Sequence, residues 1–311
     1  MSYLLETYDL TKEIGGRKIL ESVSLHVKKG EIYGFLGPNG AGKTTVLKLV
    51  TGLLRPTAGE VILFGKRAGG GDRDWAAGDF CYALKRMGIL LEYPVFYDRL
   101  TGRENLELHR EYMGYYRHGC VEEALELLHL TEAADRPVRS YSLGMRERLG
   151  IARALLHRPE LLLLDEPLNG LDPEGIRQIR ELLRRLSADH GVTVLISSHI
   201  LSEVESIADA VGILSKGRLR EELSMKELSE RSASFLEVVA ADEKRAAYLL
   251  EEKLGLSKFR VLEDKRIRIY EKEISVEALA RTFSEGGAGV LSIGRKRETL
   301  EEYFLKLVGE E

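Results

Sequence analysis

Apolar positions along this chain fall into two alternating arrangements. Short runs, "EIYGFLG" (31–37), "LLLLDEP" (161–167) and "VTVLISSHI" (192–200), are apolar almost without interruption and end in glycine or polar groups. Each is followed by a segment with apolar residues three and four apart: "GKTTVLKLVTGLL", "EGIRQIRELLRRLSAD" and "LSEVESIADA". Unbroken apolar strands alternating with amphipathic helices predict an α/β fold around a mostly parallel sheet. The earlier "ETYDLTKEI" and "VSLHV" read as half-buried strands at an antiparallel β edge. Between about 72 and 158 the strand pattern fades. There "TGRENLELHREYMG" opens with Thr101 and Glu104 at capping-box spacing, and "VEEALELLHL" is amphipathic. A helical lobe is predicted over that stretch, preceded by a glycine-rich surface loop at 65–79.

After "AVGILSKGRLREE" the pattern changes again. Alternating "SFLEVVA", helical "EKRAAYLLEEKLG", strands "KFRVLE" and "RIRIYE", helix "SVEALARTFSE", strand "GVLSIG" and helix "ETLEEYFLKLV" follow in turn. This βαββαβα order predicts a small, ferredoxin-like α+β domain over 224–311, behind a first domain over 1–223.

Composition adds limits. The chain has 311 residues, 44% hydrophobic and 31% charged, enough for large cores in two domains. A formal net charge of -4 offers no basic face of the kind nucleic acid recruits, so no nucleic-acid partner is expected. Cys81 and Cys120 lie far apart, with neither metal-ligand spacing nor a disulfide framework, which fits a reducing cytoplasm. The opening "MSYLLETYDL" has no basic-then-apolar pattern, so no secretory leader is expected. The apolar runs are too short to span a bilayer, and any membrane role is expected to come through a partner.

Three motifs carry chemistry. "GPNGAGKTT" contributes Gly37, Pro38, Asn39, Gly40, Ala41, Gly42, Lys43, Thr44 and Thr45 between a strand and a helix. The glycines let backbone N–H groups wrap phosphates, Lys43 brings a charge to the terminal phosphates, and the Thr44 hydroxyl suits Mg²⁺. At the end of "LLLLDEP", Asp165 and Glu166 point in different directions and suit two tasks. Asp165 is expected to orient Mg²⁺, and Glu166 to polarise an attacking water as general base. His199 follows "VLISS" at another strand end, on the ligand side of such a sheet, where it can reach a γ-phosphate.

Together these residues resemble the ATP-binding cassette (ABC) ATPases over about residues 3–220. The resemblance implies a P-loop NTPase cassette that binds ATP and Mg²⁺ and hydrolyses ATP. Tyr141, Ser142, Leu143, Gly144 and Met145 stand where that family has its Leu-Ser-Gly-Gly-Gln signature, and "NGLD" (169–172) stands at its D-loop. The resemblance implies that Ser142 and the Gly144 backbone cap the γ-phosphate held by a second copy, in a homodimer closed by ATP. Leu143 replaces a glycine and does not readily take positive φ, so a locally different turn is expected. Ile14 stands where the family often stacks an aromatic on adenine. Glu92 stands where the family carries a glutamine that ligates Mg²⁺ and senses the transporter subunit. "EYP.FY..LT..EN" and "SLGM..RLGIA" resemble the ATPases of bacitracin- and lantibiotic-resistance exporters, which work with separate transmembrane permeases. The implied location is cytoplasmic, peripheral on the inner face of the membrane. Trp75, Phe80, Tyr82, Tyr93, Phe96, Tyr97, Tyr112, Tyr115 and Tyr116 concentrate aromatics in the lobe. Tyr93, Phe96 and Tyr97, flanking Glu92, are the expected permease contacts, with the lobe's own core as the alternative. A soluble non-transport ABC ATPase, of the DNA-repair or translation-associated kind, is the alternative function. The absence of sustained heptads and the single phosphate loop count against it.

Overall fold

The structure, a computed structural model, describes residues 2–69, 77–231, 234–262, 265–271 and 274–309. It divides into two compact units, Met1–Met225 and Lys226–Glu311.

The first unit opens with β1 (Tyr3–Ile14), β2 (Arg17–Val23) and β3 (His26–Lys28), then β4 (Ile32–Leu36) and α1 (Lys43–Val50). Next come β5 (Ala58–Leu63), β6 (Lys66–Gly69), α2 (Ala77–Leu84) and β7 (Met87–Leu90). The lobe holds α3 (Gly102–Met113), α4 (Cys120–Leu127) and α5 (Leu143–Leu155). It leads to β8 (Leu161–Asp165), α6 (Pro173–His190), β9 (Thr193–Ser198), α7 (Leu201–Glu205), β10 (Ala210–Ser215) and β11 (Arg218–Ser224). The helix α8 (Met225–Arg231) begins at the boundary between the units.

A six-stranded sheet runs in the order β11-β10-β4-β9-β8-β7, parallel throughout except for the β10–β11 hairpin. Its inner strands β10, β4, β9 and β8 are buried on both faces, which is why they read as largely apolar runs. Leu161 and Leu163 of β8 face a core shared with β1, α1 and α2. Leu162 and Leu164 face the core of the lobe and α6. The early strands form a second, antiparallel sheet rather than an edge of the first, with β1 central between β2 and β5, and β6 beyond β5.

Three sequence expectations need correction. The 72–158 stretch is not purely helical, because β7 lies within it and pairs in parallel with β8. "MGIL" is a four-residue apolar run between charged neighbours, too short to be told from a buried helix turn by pattern. The 65–79 loop is partly regular: β6 pairs with β5 and α2 starts at Ala77, while 70–76, including Trp75, lie outside the described residues. Helix α7 stops at Glu205, and Ala210 already belongs to β10. By contrast, Thr101 and Glu104 do form a complete capping box at the start of α3.

The second unit contains β12 (Ser234–Ala240), α9 (Glu243–Glu252), β13 (Phe259–Val261), β14 (Arg266–Ile269), α10 (Val276–Glu285), β15 (Val290–Arg297) and α11 (Leu300–Gly309). Its sheet order is β13-β14-β12-β15, antiparallel at every pairing. That is the strand order of the split β-α-β arrangement. Its core centres on Val238, Ile267, Leu279 and Phe283.

Of the two cysteines, Cys81 on α2 is exposed and Cys120 at the start of α4 is buried. The lobe also buries an acid: Glu147 on α5 is 4% exposed. Burial pushes its carboxyl up from the ordinary 4.5 to about 7. Over that window the folded protein keeps a proton that the unfolded chain has lost, so stability falls as pH rises from 4.5 to 7. Glu147→Gln removes this penalty. Its thermal midpoint is expected to exceed that of the parent protein by roughly 3–6 °C at pH 8, with the gain shrinking towards zero at pH 5. Calorimetry at the two pH values checks it, and an equal gain at both would contradict the burial argument.

Candidate functional site

Three parallel strands bring the motifs together. Leu36 of β4 pairs with Ser198 of β9, and Ser197 of β9 pairs with Asp165 of β8, so all three strands end at one level. Just beyond those ends stand Gly37, Glu166 and His199.

The phosphate loop from Gly37 to Gly42 leads into α1. Gly37 has no room for a side chain, since an added Cβ would lie 2.4 Å from the Leu214 carbonyl oxygen. Gly42 is the N-cap of α1 at φ 110 and makes no side-chain cap, which leaves first-turn N–H groups to face an anion. Pro38, Asn39 and Gly40 are exposed along the loop. Ala41 is buried; its N–H donates to the Pro38 carbonyl at 3.1 Å and its carbonyl accepts from Gly217 N–H at 3.1 Å. Thr45, in the first turn of α1, is half-buried.

Lys43 is 6% exposed, so its charge must be met inside the site. Its Nζ donates to the Gly37 carbonyl at 2.7 Å and lies 3.1 Å from Glu166 Oε1. The other carboxylate oxygen of Glu166 is 2.8 Å from His199 Nδ1 and 3.5 Å from Asn169 Nδ2. An ionised carboxylate only accepts, so the Nδ1 proton of His199 is the one donated to Glu166. Nε2 then donates to an anion only when the ring is an imidazolium.

Glu166 holds φ 50, an uncommon conformation for a residue with a side chain. Two contacts fix it: its N–H donates to Ser197 Oγ at 3.0 Å and to the Ser197 carbonyl at 3.2 Å. Ser197 Oγ in turn donates to Asp165 Oδ1 at 2.5 Å, while Thr44 Oγ1 donates to Asp165 Oδ2 at 2.7 Å. The hydroxyl and carboxylate expected to serve Mg²⁺ are therefore already side by side. These are hard oxygen donors, and Mg²⁺ takes few protein ligands when phosphates and water supply the rest. Among the described residues no three His, Cys, Asp or Glu side chains gather into an all-protein metal cage.

Other expected residues lie apart from this cluster. Ser142 is the N-cap of α5 and its hydroxyl accepts from Met145 N–H at 3.3 Å. None of the described hydrogen bonds links Ser142 or Gly144 to the phosphate loop. Leu143 starts the helix and is not among the residues of positive φ. It lies against the D-loop, where a Cβ on Gly170 would meet its Cδ2 at 2.5 Å. Glu92 is 60% exposed and pairs with Lys48 of α1 at 2.5 Å. Ile14 is exposed at the β1–β2 turn, and Tyr8 is engaged with Glu6 and His26.

The aromatics of the lobe divide. Phe80, Phe96 and Tyr115 pack against the cores, whereas Tyr82, Tyr93, Tyr97, Tyr112 and Tyr116 are exposed. Phe96 thus points inward, under the Arg153 guanidinium at 4.9 Å, and Val95 beside it is 82% exposed. Arg153 also donates to the Val95 carbonyl at 2.9 Å, anchoring the loop.

Sequence reasoning missed Ser197, Lys48 and Glu203, and named Asn169 only as part of "NGLD". Burial raises the Glu203 carboxyl above its usual range, the Arg180 and His199 charges pull it down, and the Glu166 charge pushes it up. Only the polar "SS" ending a buried strand hinted at Ser197.

A glycine-lined helix start, a buried lysine, paired strand-end carboxylates and a histidine make a P-loop nucleotide site. The family model described as "ABC transporter" matches residues 20–169. The chain is 46% identical to the uncharacterized ABC transporter ATP-binding protein YcbN of Bacillus subtilis, over 99% of this chain and 98% of that one. It is 41% identical to the bacitracin transport ATP-binding protein BcrA of Bacillus licheniformis, again over 99% and 98%. A solved dimeric structure of the ATP-binding cassette MJ0796, in a post-hydrolysis state with ADP and Pi, superposes with a TM-score of 0.63 at 26% identity. That match covers 71% of this chain and 98% of MJ0796. The chain belongs to the ATP-binding proteins of ABC transporters, and it is an ATPase.

Ser197 ties both carboxylates in place. Ser197→Ala is expected to leave Asp165 and the Glu166 N–H short of partners and to cost about 1–3 kcal/mol of stability. Denaturant unfolding checks this, and a variant as stable as the parent protein would show that the hydroxyl is dispensable.

Proposed function

We propose that this protein hydrolyses ATP to drive export of a peptide antibiotic through separate transmembrane permease subunits, working as a homodimer at the inner face of the membrane. One observation carries the catalytic part: Lys43 and His199 both contact Glu166 at the end of β8. A terminal phosphate held by Lys43 thereby lies beside a carboxylate able to take a proton from water. The BcrA relative supports the cargo class, by its name and by its near-full-length match. Among the described residues no helix is long and apolar enough to cross a membrane, so the path for cargo is assigned to partner subunits.

In this reading the α1 N-terminus and the loop from Gly37 to Thr45 bind the phosphates. Thr44 and Asp165 hold Mg²⁺, with Glu92 as a further candidate ligand, and Mg²⁺ supplies charge neutralisation on the phosphate oxygens. Glu166 acts as general base, and Ser197, Asn169 and His199 orient it. His199 turns Nδ1 to Glu166, which leaves Nε2 for the γ-phosphate side. Ser142 and the Gly144 N–H serve the nucleotide of the second copy, because α5 presents an exposed N-cap that its own phosphate loop does not use. The dimeric MJ0796 structure supports such an assembly. Tyr93, Val95, Tyr97 and Tyr112 form the permease contact, an exposed apolar group flanking Glu92. The segment 224–311 is an accessory domain outside the chemistry.

Glu166→Gln is expected to keep ATP binding, lose more than about 100-fold in hydrolysis and accumulate as an ATP-bound dimer. Light scattering with Mg-ATP reads the dimer; a monomer hydrolysing at the parent rate would remove Glu166 from this role. Lys43→Ala is expected to abolish nucleotide binding to the isolated chain, whereas Ser142→Arg spares it and blocks dimerisation. Titration with a fluorescent ATP analogue compares the two. Equal loss in both would contradict a signature acting on the second copy. Co-purification with a permease, together with bacitracin protection in cells carrying both, tests the cargo. Protection that survives Glu166→Gln would rule out export powered by this site.

A further inference from the structure

Glu92 stands apart from the Asp165–Glu166 pair, but at the end of a neighbouring strand. It stands two residues beyond β7, and β7 pairs with β8, whose end carries Asp165 and Glu166. A glutamine at this position has no charge and needs no counter-ion, but a glutamate does. The structure supplies one: Lys48 Nζ lies 2.5 Å from Glu92 Oε1. Glu92 itself sits at φ 56, a conformation uncommon outside glycine.

The place of Lys48 matters as much as its charge. Thr44 and Lys48 are four residues apart on α1 and share one face of it. The rise between them is about 6 Å. Thr44 Oγ1 is already bound to Asp165 at 2.7 Å. A single helix face therefore carries the metal-side hydroxyl on one turn and the partner of Glu92 on the next.

We propose that Lys48, one turn of α1 beyond Thr44, is a positioning residue that holds the Glu92 carboxylate and competes with Mg²⁺ for it. This rests on the reading of the site as one for Mg-ATP. The ion pair gives the loop carboxylate a counter-charge on the same helix that carries Thr44. Delivery of Glu92 to the metal then requires the pair to open, so Lys48 sets how much Mg²⁺ the site needs.

The experiment is an Mg²⁺ titration of binding of a non-hydrolysable ATP analogue to the full chain, followed by calorimetry. It compares the parent protein, Lys48→Ala, Lys48→Arg, Glu92→Gln and the Lys48→Ala/Glu92→Gln double variant. Lys48→Ala is expected to lower half-saturating Mg²⁺ about two- to fivefold, the range for opening a partly exposed ion pair. Lys48→Arg is expected to match the parent protein. In the Glu92→Gln background the Lys48→Ala effect is expected to vanish. If it persists there, Lys48 acts only as a nearby charge and the proposal is overturned. An unchanged or higher Mg²⁺ requirement in Lys48→Ala overturns it as well, while the parent titration leaves the site reading intact. A parent protein that binds the analogue without any Mg²⁺ dependence overturns both.

Discussion

The site depends on strands that end together. β4, β9 and β8 pair in parallel, with Leu36 opposite Ser198 and Ser197 opposite Asp165. A slip of one residue would turn every side chain on the moved strand to the other face. Leu161 and Leu163 would exchange cores with Leu162 and Leu164, and Asp165 would leave Ser197. The packing that holds the register is therefore the same packing that aligns Lys43, Glu166 and His199. Because both faces are covered, the register is pinned from both sides.

Electrostatics completes the arrangement locally. Lys43 is buried, and the Gly37 carbonyl and Glu166 satisfy it. Glu166 divides its two oxygens between Lys43 and His199. The uncommon backbone at Glu166 is what separates its direction from that of Asp165, and Ser197 stabilises both outcomes with one hydroxyl. Neighbouring carboxylates thus receive different partners and can take different tasks.

Much of this was legible in the sequence because it is written in contiguous order. The phosphate loop, "LLLLDEP" and "SSHI" each place their polar residues directly at the end of an apolar run, and strand ends of a parallel sheet are where ligands bind. The α/β class followed from the same runs. What was not legible lies between elements. β7 is only four residues, and β5 carries mixed burial, so neither produced a clear period. Ser197, Asn169 and Lys48 act through partners distant in sequence or across a turn, and nothing local marks those pairings. Phe96 was grouped with Tyr93 and Tyr97 by composition, yet Arg153 draws the chain so that Phe96 turns inward and its neighbours outward. Residue type alone does not give direction within a loop.

The two cysteines differ in access, one on the outside of α2 and one within the lobe core. A thiol-reactive fluorophore therefore has one ready attachment point on the native protein, at Cys81. That point lies on a helix packed against the core shared with α1, the helix that begins at the phosphate loop. The natural sequence thus already carries a handle for optical spectroscopy on a helix that shares a core with α1, with no engineered residue needed to install it.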